Sequence, residues 1–206
     1  MSQEQGFFGK LKKALLGQSP DKPASKSQKT ASISQEVDVR FAENFTQDGG
    51  HFIFCESNAE LSENLKRLMQ EKSWSVLFAE DEHLKRILRQ GHVDHKNLLG
   101  LEDCQARLTP CEGLVANEGA IMMSARTDKG RLLAACPRAH LIVAYTSQLA
   151  FTREAAVEQL KSLSQGKLLS NFTFLYGPDH QKPEEKDLEQ VGLTQPAELY
   201  LFLVED

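Results

Sequence analysis

The chain has 206 residues, 40% of them hydrophobic and 26% charged, a composition that excludes disordered, collagen-like and disulfide-scaffold proteins. The formal net charge is −5, which argues against general nucleic-acid binding, because that depends on clustered lysine and arginine. No apolar run reaches the roughly 18 residues that cross a bilayer, and the N-terminus has no signal-peptide pattern, so a cytoplasmic protein is predicted.

The first 36 residues are predicted to precede the folded domain. Within residues 1–17, apolar side chains at 4–17 recur at helical spacing opposite several lysines, which predicts an amphipathic N-terminal helix. Such a helix docks on a membrane surface or in a partner's groove; the alternative is that it frays or packs on its own domain. Residues 18–36 are rich in Ser, Lys, Gln and Pro and predict a flexible linker, which leaves 37–206 as the folded domain.

Strands and helices are predicted to alternate along this domain. The predicted strands are 51–55, 75–79, a short one near Arg107, 120–124, 141–145, 171–176 and 199–204. The predicted helices are 58–72 with Asn58 as its cap, 81–90 ended by Gly91, 152–164 with Thr152 as its cap, and 184–191. This alternation, with strands that are apolar on both faces, predicts an α/β fold with a mostly parallel sheet flanked by helices.

The cysteines and histidines lack the spacing of a metal site. No Cys-x-x-Cys pair occurs, so free thiols and no bound metal are predicted. His92 and His95 form a His-x-x-His pair without a third ligand nearby, and we place both on a solvated loop. The cysteines concerned are Cys55, Cys104, Cys111 and Cys136.

Arginines and glycines near strand ends are candidates for binding a ligand, because open parallel sheets bind ligands beyond the carboxyl ends of their strands. Arg131 and Arg138 suit a carboxylate or phosphate; the alternative is that they are solvated or form weak ion pairs. Gly119 allows close backbone approach to a ligand, and the alternative is a tight turn or bulge before the next strand.

His140 and the turn at residues 177–178 complete this set. His140 is a candidate acid, base or anion anchor, although a hydrogen-bonded histidine at a strand start is the preferred interpretation. No phosphate loop, dinucleotide fingerprint or serine-hydrolase elbow occurs, and no catalytic residue is assigned. The candidate ligand-binding residues are Glu118, Gly119, Gly130, Arg131, Arg138, His140, Gly177, Pro178 and Asp179.

Three stretches resemble the LUD-domain family, in the branch typified by lactate utilisation protein C. They are residues 111–124, the specific middle at 130–149, and Gly-Pro at 177–178 together with 196–203. After Gly-Pro the family typically has Ser-Arg-Thr-Ala-Asp-Ile-Glu, where this chain has Asp-His-Gln-Lys-Pro-Glu-Glu. The resemblance spans roughly residues 37–204.

The resemblance implies an α/β fold like that of ribose-phosphate isomerase and the coenzyme A transferases. It also implies an accessory, non-redox subunit of a complex that oxidises L-lactate to pyruvate. This chain would bind no cofactor, and iron–sulfur clusters are expected in partner subunits. The alternatives are a stand-alone binder or enzyme for a phosphorylated or acyl small molecule, and a degenerate family member that serves as a scaffold.

Overall fold

The computed structural model describes residues 26–96, 105–124, 139–163, 172–180 and 196–206. The helices are α1 (Lys26–Gln47), α2 (Asn58–Lys72), α3 (Glu82–Gln90) and α4 (Arg153–Leu163), and a 3-10 turn covers Thr146–Gln148. The strands are β1 (His51–Cys55), β2 (Leu77–Ala79), β3 (His95–Lys96), β4 (Ala106–Pro110), β5 (Gly113–Val115), β6 (Ala120–Ser124), β7 (Ala139–Tyr145), β8 (Leu149–Ala150), β9 (Phe172–Leu175) and β10 (Glu198–Val204).

The main sheet has six strands in the order β1-β10-β7-β4-β2-β3, and its neighbouring strands pair in parallel. The prediction of an α/β fold with a mostly parallel sheet is therefore confirmed. A second sheet, in the order β8-β5-β6-β9, contains the antiparallel pairs β5–β6 and β6–β9. The predicted strands at 120–124 and 171–176 belong to this small sheet, because the short connection from β5 to β6 can join only antiparallel strands.

Strand β10 shows why the main sheet is apolar on both faces. Tyr200 and Phe202 pack in the same core as α2 and α3, while Leu201 and Leu203 pack in the core with α1 and the small sheet. Helix α4 covers the opposite face of the small sheet, where Ala156 packs with β5, β6 and β9. The main sheet thus lies between a helical layer and a mixed layer, and α4 forms an outer layer.

Helix α1 begins inside the segment predicted as a linker over 18–36. Residues 26–36 belong to this helix, which runs to Gln47. Phe41 and Phe45 are fully buried against the sheet, and no proline or glycine lies between 26 and 47 to end the helix before its anchored part. Residues 1–25, with the predicted N-terminal helix, lie outside the described residues.

Local capping chemistry sets most of the other boundaries. Ser57, rather than the predicted Asn58, caps α2, because its hydroxyl accepts the backbone N–H of Glu60. Helix α4 begins after Thr152 as predicted, with the Thr152 hydroxyl accepting the N–H of Ala155. His95 lies on edge strand β3, not on a loop.

Strands β5 and β8 were not predicted, and the predicted helix 184–191 lies outside the described residues. Each helix in the described part of the chain is too short or too polar to span a bilayer.

Candidate functional site

A cavity of about 250 Å³ lies beyond the carboxyl ends of β2 and β4. This edge of an open parallel sheet is where such folds bind ligands, because loops leaving neighbouring strands separate there. The volume suits a small molecule. The lining residues are Glu80, Asp81, Arg107, Leu108, Thr109, Pro110, Cys111, Glu112, Met123 and Ser124.

Arg107 supplies a positive charge to the cavity wall. Its neighbours Ala106 and Leu108 pack in the core with α2 and α3, so strand alternation directs Arg107 towards the other face of the main sheet. The side chain is only 5% exposed, and its Nη1 has no hydrogen-bond partner in the described part of the chain. Burial lowers the pKa of Arg107 to about 10, opposed by nearby Glu80, so the guanidinium stays charged at neutral pH.

His140 is the partner of Arg107 across the sheet but does not share its charge. Its Nε2 lies 2.7 Å from the hydroxyl of Thr109. Burial, together with the positive charge of Arg107, lowers the pKa of His140 to about 3. The imidazole is therefore neutral at physiological pH, and Arg107 is the positive group of this part of the site.

Carboxylates form the rim of the same cavity. The Asp81 side chain caps α3 by accepting the backbone N–H groups of His83 and Leu84, each at 2.9 Å. The Glu112 carboxylate accepts a hydrogen bond of 2.5 Å from the Ser124 hydroxyl. The rim therefore presents negatively charged acceptors that are held in place by the fold.

Cys111 lines the cavity but is not a nucleophile in this state. The side chain is buried, and burial raises the pKa of its thiol to about 12, so that it stays protonated at neutral pH. Among the described residues, no group of three or more His, Cys, Asp or Glu side chains has an arrangement that fits a metal ion.

Several of the predicted site residues meet at the carboxyl end of α1, away from the Arg107 cavity. Gly119 lies in the turn between β5 and β6 with φ of 63°, and a Cβ there would lie 2.5 Å from the backbone nitrogen of Phe45. A Cβ at Gly177 would clash with the carbonyl oxygen of Asp48, which accepts the N–H of Asp179 at 2.8 Å. Both glycines therefore serve close packing of backbone segments, and Pro178 lies in the predicted turn between Gly177 and Asp179.

A polar network joins the segments that meet there. The Nε–H of Arg153 is shared between the two oxygens of the Glu118 carboxylate, at 2.8 and 3.0 Å, and the Tyr176 hydroxyl donates to the same carboxylate at 2.9 Å. The Tyr176 ring stacks on His180 at 4.0 Å, and His180 Nδ1 lies 2.5 Å from an Asp48 oxygen. Because Glu118 is bound by two side chains of the protein itself, this network stabilises the junction between the segments.

Three predicted site residues are not among the described ones, and two residues of the cavity were not predicted. Gly130, Arg131 and Arg138 lie outside the described residues, so their roles stay predictions. Sequence reasoning did not select Arg107 or Glu80. The available signal was a charged residue inside the short apolar strand at 106–110, since such a residue is costly to bury without a function or a partner.

The fold and the cavity together define an α/β protein with a small-molecule-sized cleft at the carboxyl edge of a parallel sheet. The LUD domain family matches residues 39–204, and the chain belongs to this family, which is associated with lactate utilisation.

The fold is also similar to the crystal structure of a DUF162 family protein from Deinococcus radiodurans. The TM-score is 0.61, the sequence identity is 20%, and the match covers 88% of this chain and 99% of that chain. At this identity the likeness shows the fold alone. No curated protein matches the chain significantly.

Proposed function

We propose that this chain is an accessory subunit, without a redox centre of its own, of a cytoplasmic complex that oxidises L-lactate to pyruvate. The observation that supports the proposal is the LUD-domain match over residues 39–204, since the family is associated with lactate utilisation. Fold alone would not support it, because one fold can serve many functions.

Lactate oxidation needs an electron acceptor, because each lactate releases two electrons and two protons on conversion to pyruvate. Iron–sulfur clusters held by cysteine thiolates are suited to accept electrons. We assign these clusters to partner subunits, with this chain contributing to assembly or to ligand binding.

Residues 4–17 are the proposed docking element, for a partner subunit or a membrane surface. Their sequence pattern, apolar side chains at helical spacing opposite lysines, is typical of segments that bind a groove or an anionic surface.

The test is an anaerobic affinity purification of the tagged full chain from its native cell. We expect stoichiometric partner proteins, iron in the eluate, and reduction of an electron-accepting dye that depends on L-lactate. A chain lacking residues 1–17 should recover less partner protein, whereas Phe151→Ala, which alters a side chain that is 56% exposed, is the matched control and should recover the same amount. An iron-free eluate that contains this chain alone and does not oxidise lactate would contradict the proposal.

A second candidate is a stand-alone binder or enzyme for a phosphorylated or acyl small molecule. The observation that favours it is the cavity at the carboxyl edge of the sheet, with the buried charge of Arg107 in its wall. A lone, iron-free protein that binds such a compound would support this candidate over the subunit.

A further inference from the structure

We infer that the cavity beyond β2 and β4 binds a small carboxylate that also carries a hydroxyl or ammonium group. Its carboxylate would lie on the guanidinium of Arg107, and its donor group would face the carboxylates of Glu80 and Glu112. The inference concerns this cavity alone and does not rest on the proposed complex, since a subunit and a stand-alone protein could both bind such a ligand.

The first step is the unfilled hydrogen-bonding capacity of Arg107. A guanidinium has five N–H donors in a planar fork that matches a carboxylate, and leaving a donor buried without a partner is unfavourable. The Nη1 of Arg107 is buried and has no hydrogen-bond partner within the described ranges. The nearby carboxylate of Glu80 acts on the charge of Arg107 but does not fill this donor. The neighbouring His140 is neutral, and its Nε2 lies 2.7 Å from the Thr109 hydroxyl.

A second buried polar atom without a partner lies on the facing layer. Thr173 of β9 pairs directly with Met123 of β6, and Met123 lines the cavity. The Thr173 hydroxyl is buried and, among the described residues, has no hydrogen-bond partner. Thr173 is not itself a lining residue, so Arg107 is the unsatisfied group in the cavity wall, and Thr173 lies next to the lining residue Met123.

The rim determines which carboxylate fits. The carboxylates of Glu80, Asp81 and Glu112 would repel a ligand that carries negative charge alone. A hydroxyl or ammonium group facing the rim would instead donate to these acceptors while the ligand's own carboxylate pairs with Arg107. A cavity of about 250 Å³ has room for a small ligand such as a 2-hydroxy or 2-amino acid.

The experiment titrates the full chain with L-lactate, L-alanine, propionate and inorganic phosphate, and follows the backbone amide signals of residues 107–109, 111 and 112. We expect millimolar binding of lactate or alanine, and at least several-fold weaker binding of propionate and phosphate. A preference for lactate identifies a hydroxy acid, and a preference for alanine identifies an amino acid. Equal binding of propionate, or the tightest binding by phosphate, would overturn the inference.

Arg107→Gln should weaken binding of the preferred probe at least tenfold, and Arg107→Lys should weaken it less. Arg86→Gln changes an exposed arginine of the neighbouring helix α3 and is the matched control, expected to leave affinity unchanged. Glu112→Gln should weaken the preferred probe more than it weakens propionate, a difference that a general loss of structure would not produce. Unchanged affinity in folded Arg107→Gln, or no binding of any probe to the wild-type chain, would refute the site while leaving the proposed complex untouched.

Discussion

Arg107 on β4 lies directly opposite His140 on β7, so that a buried guanidinium and a buried imidazole share one face of the parallel sheet. The positive charge and the low polarity of this layer both disfavour protonation of the imidazole. Arg107 therefore stays charged and His140 stays neutral. Because protonation of His140 is disfavoured in the folded protein, the stability of the fold depends on pH.

We predict that His140 reduces the stability of the protein as the pH falls. The pKa of His140 is about 3 in the folded protein and near 6.5 in an unfolded chain, so between these values only the unfolded chain binds the proton. The contribution of neutral His140 to the unfolding free energy is therefore fully present above pH 6.5. It is lost as the pH falls towards 3, by at most about 1.4 kcal/mol per pH unit.

Asp38 contributes with the opposite sign, so the His140 effect must be measured as a difference. Burial raises the pKa of Asp38 to about 6 from 3.8, so the unfolding free energy from this group rises as the pH falls through that window. Urea unfolding of wild type and His140→Gln over the same pH range cancels the Asp38 contribution. We expect a steeper fall at low pH for the wild type, and parallel curves would contradict the prediction.

Phe41→Ala should lower the unfolding free energy by about 3–5 kcal/mol, because it leaves a cavity beneath α1 where the ring is fully buried. Phe151→Ala removes a ring that is 56% exposed and should change stability by about 0.5 kcal/mol or less. Urea denaturation of the two variants measures this difference. A small effect at Phe41 would mean that α1 is not part of the cooperative core.

The case of α1 shows what the sequence could and could not predict. Apolar strands such as β7 and β10 are covered on both faces, and their continuous runs predicted the parallel sheet directly. Residues 26–36 have a polar composition that resembles a linker, and their helical state follows from continuity with the anchored half around Phe41. That anchoring is a tertiary contact, which local composition does not contain.

The candidate site was harder to predict for a related reason. The glycines at 119 and 177 were recognised as special, but their close contacts are with the carboxyl end of α1, a helix that the sequence interpretation did not include. The sequence offered a charged residue in a short strand, but the structure was needed to show that β4 is buried between two layers, since the same residue on an exposed strand would be solvated.

Within the polar network, Glu118 and Tyr176 should be energetically coupled. A double-mutant cycle with Glu118→Gln and Tyr176→Phe is expected to give about 0.5–1.5 kcal/mol, less than the roughly 1.5–3 kcal/mol of a hydrogen bond to a charged group, because solvent partly screens Glu118. The charged side chains of Arg153 and Glu118 are about one-third exposed, which keeps their ion pair weak.

The exposed pair Lys66–Glu63 on α2 offers the matched control for that cycle. As an i,i+3 surface pair, it should show a coupling of only about 0.2–0.5 kcal/mol. Equal coupling for the two pairs would indicate that the Glu118 network adds nothing beyond an ordinary surface contact.

Gly119→Ala should lower the unfolding free energy by at least about 2 kcal/mol. The φ of 63° is unfavourable for a residue with a Cβ, and that atom would lie 2.5 Å from the backbone nitrogen of Phe45. Gly113→Ala is the control, since its Cβ would meet the flexible end of Met122 at 3.1 Å and its φ is not positive. Comparable losses in the two variants would show that the close approach to α1 has no special cost.

Cys55 and Cys111 should resist alkylation in the native protein. Burial raises the pKa of the Cys55 thiol to about 11 and that of Cys111 to about 12, and only the thiolate reacts rapidly with iodoacetamide. Timed alkylation at neutral pH followed by peptide mass spectrometry should show slow labelling of both, and fast labelling once urea unfolds the chain.

A ligand in the Arg107 cavity should slow the native labelling of Cys111 further, because that side chain lines the cavity. Cys55 is not among the lining residues and serves as the internal control. Fast native labelling of Cys111 would show that the cavity opens far enough to expose and ionise this thiol.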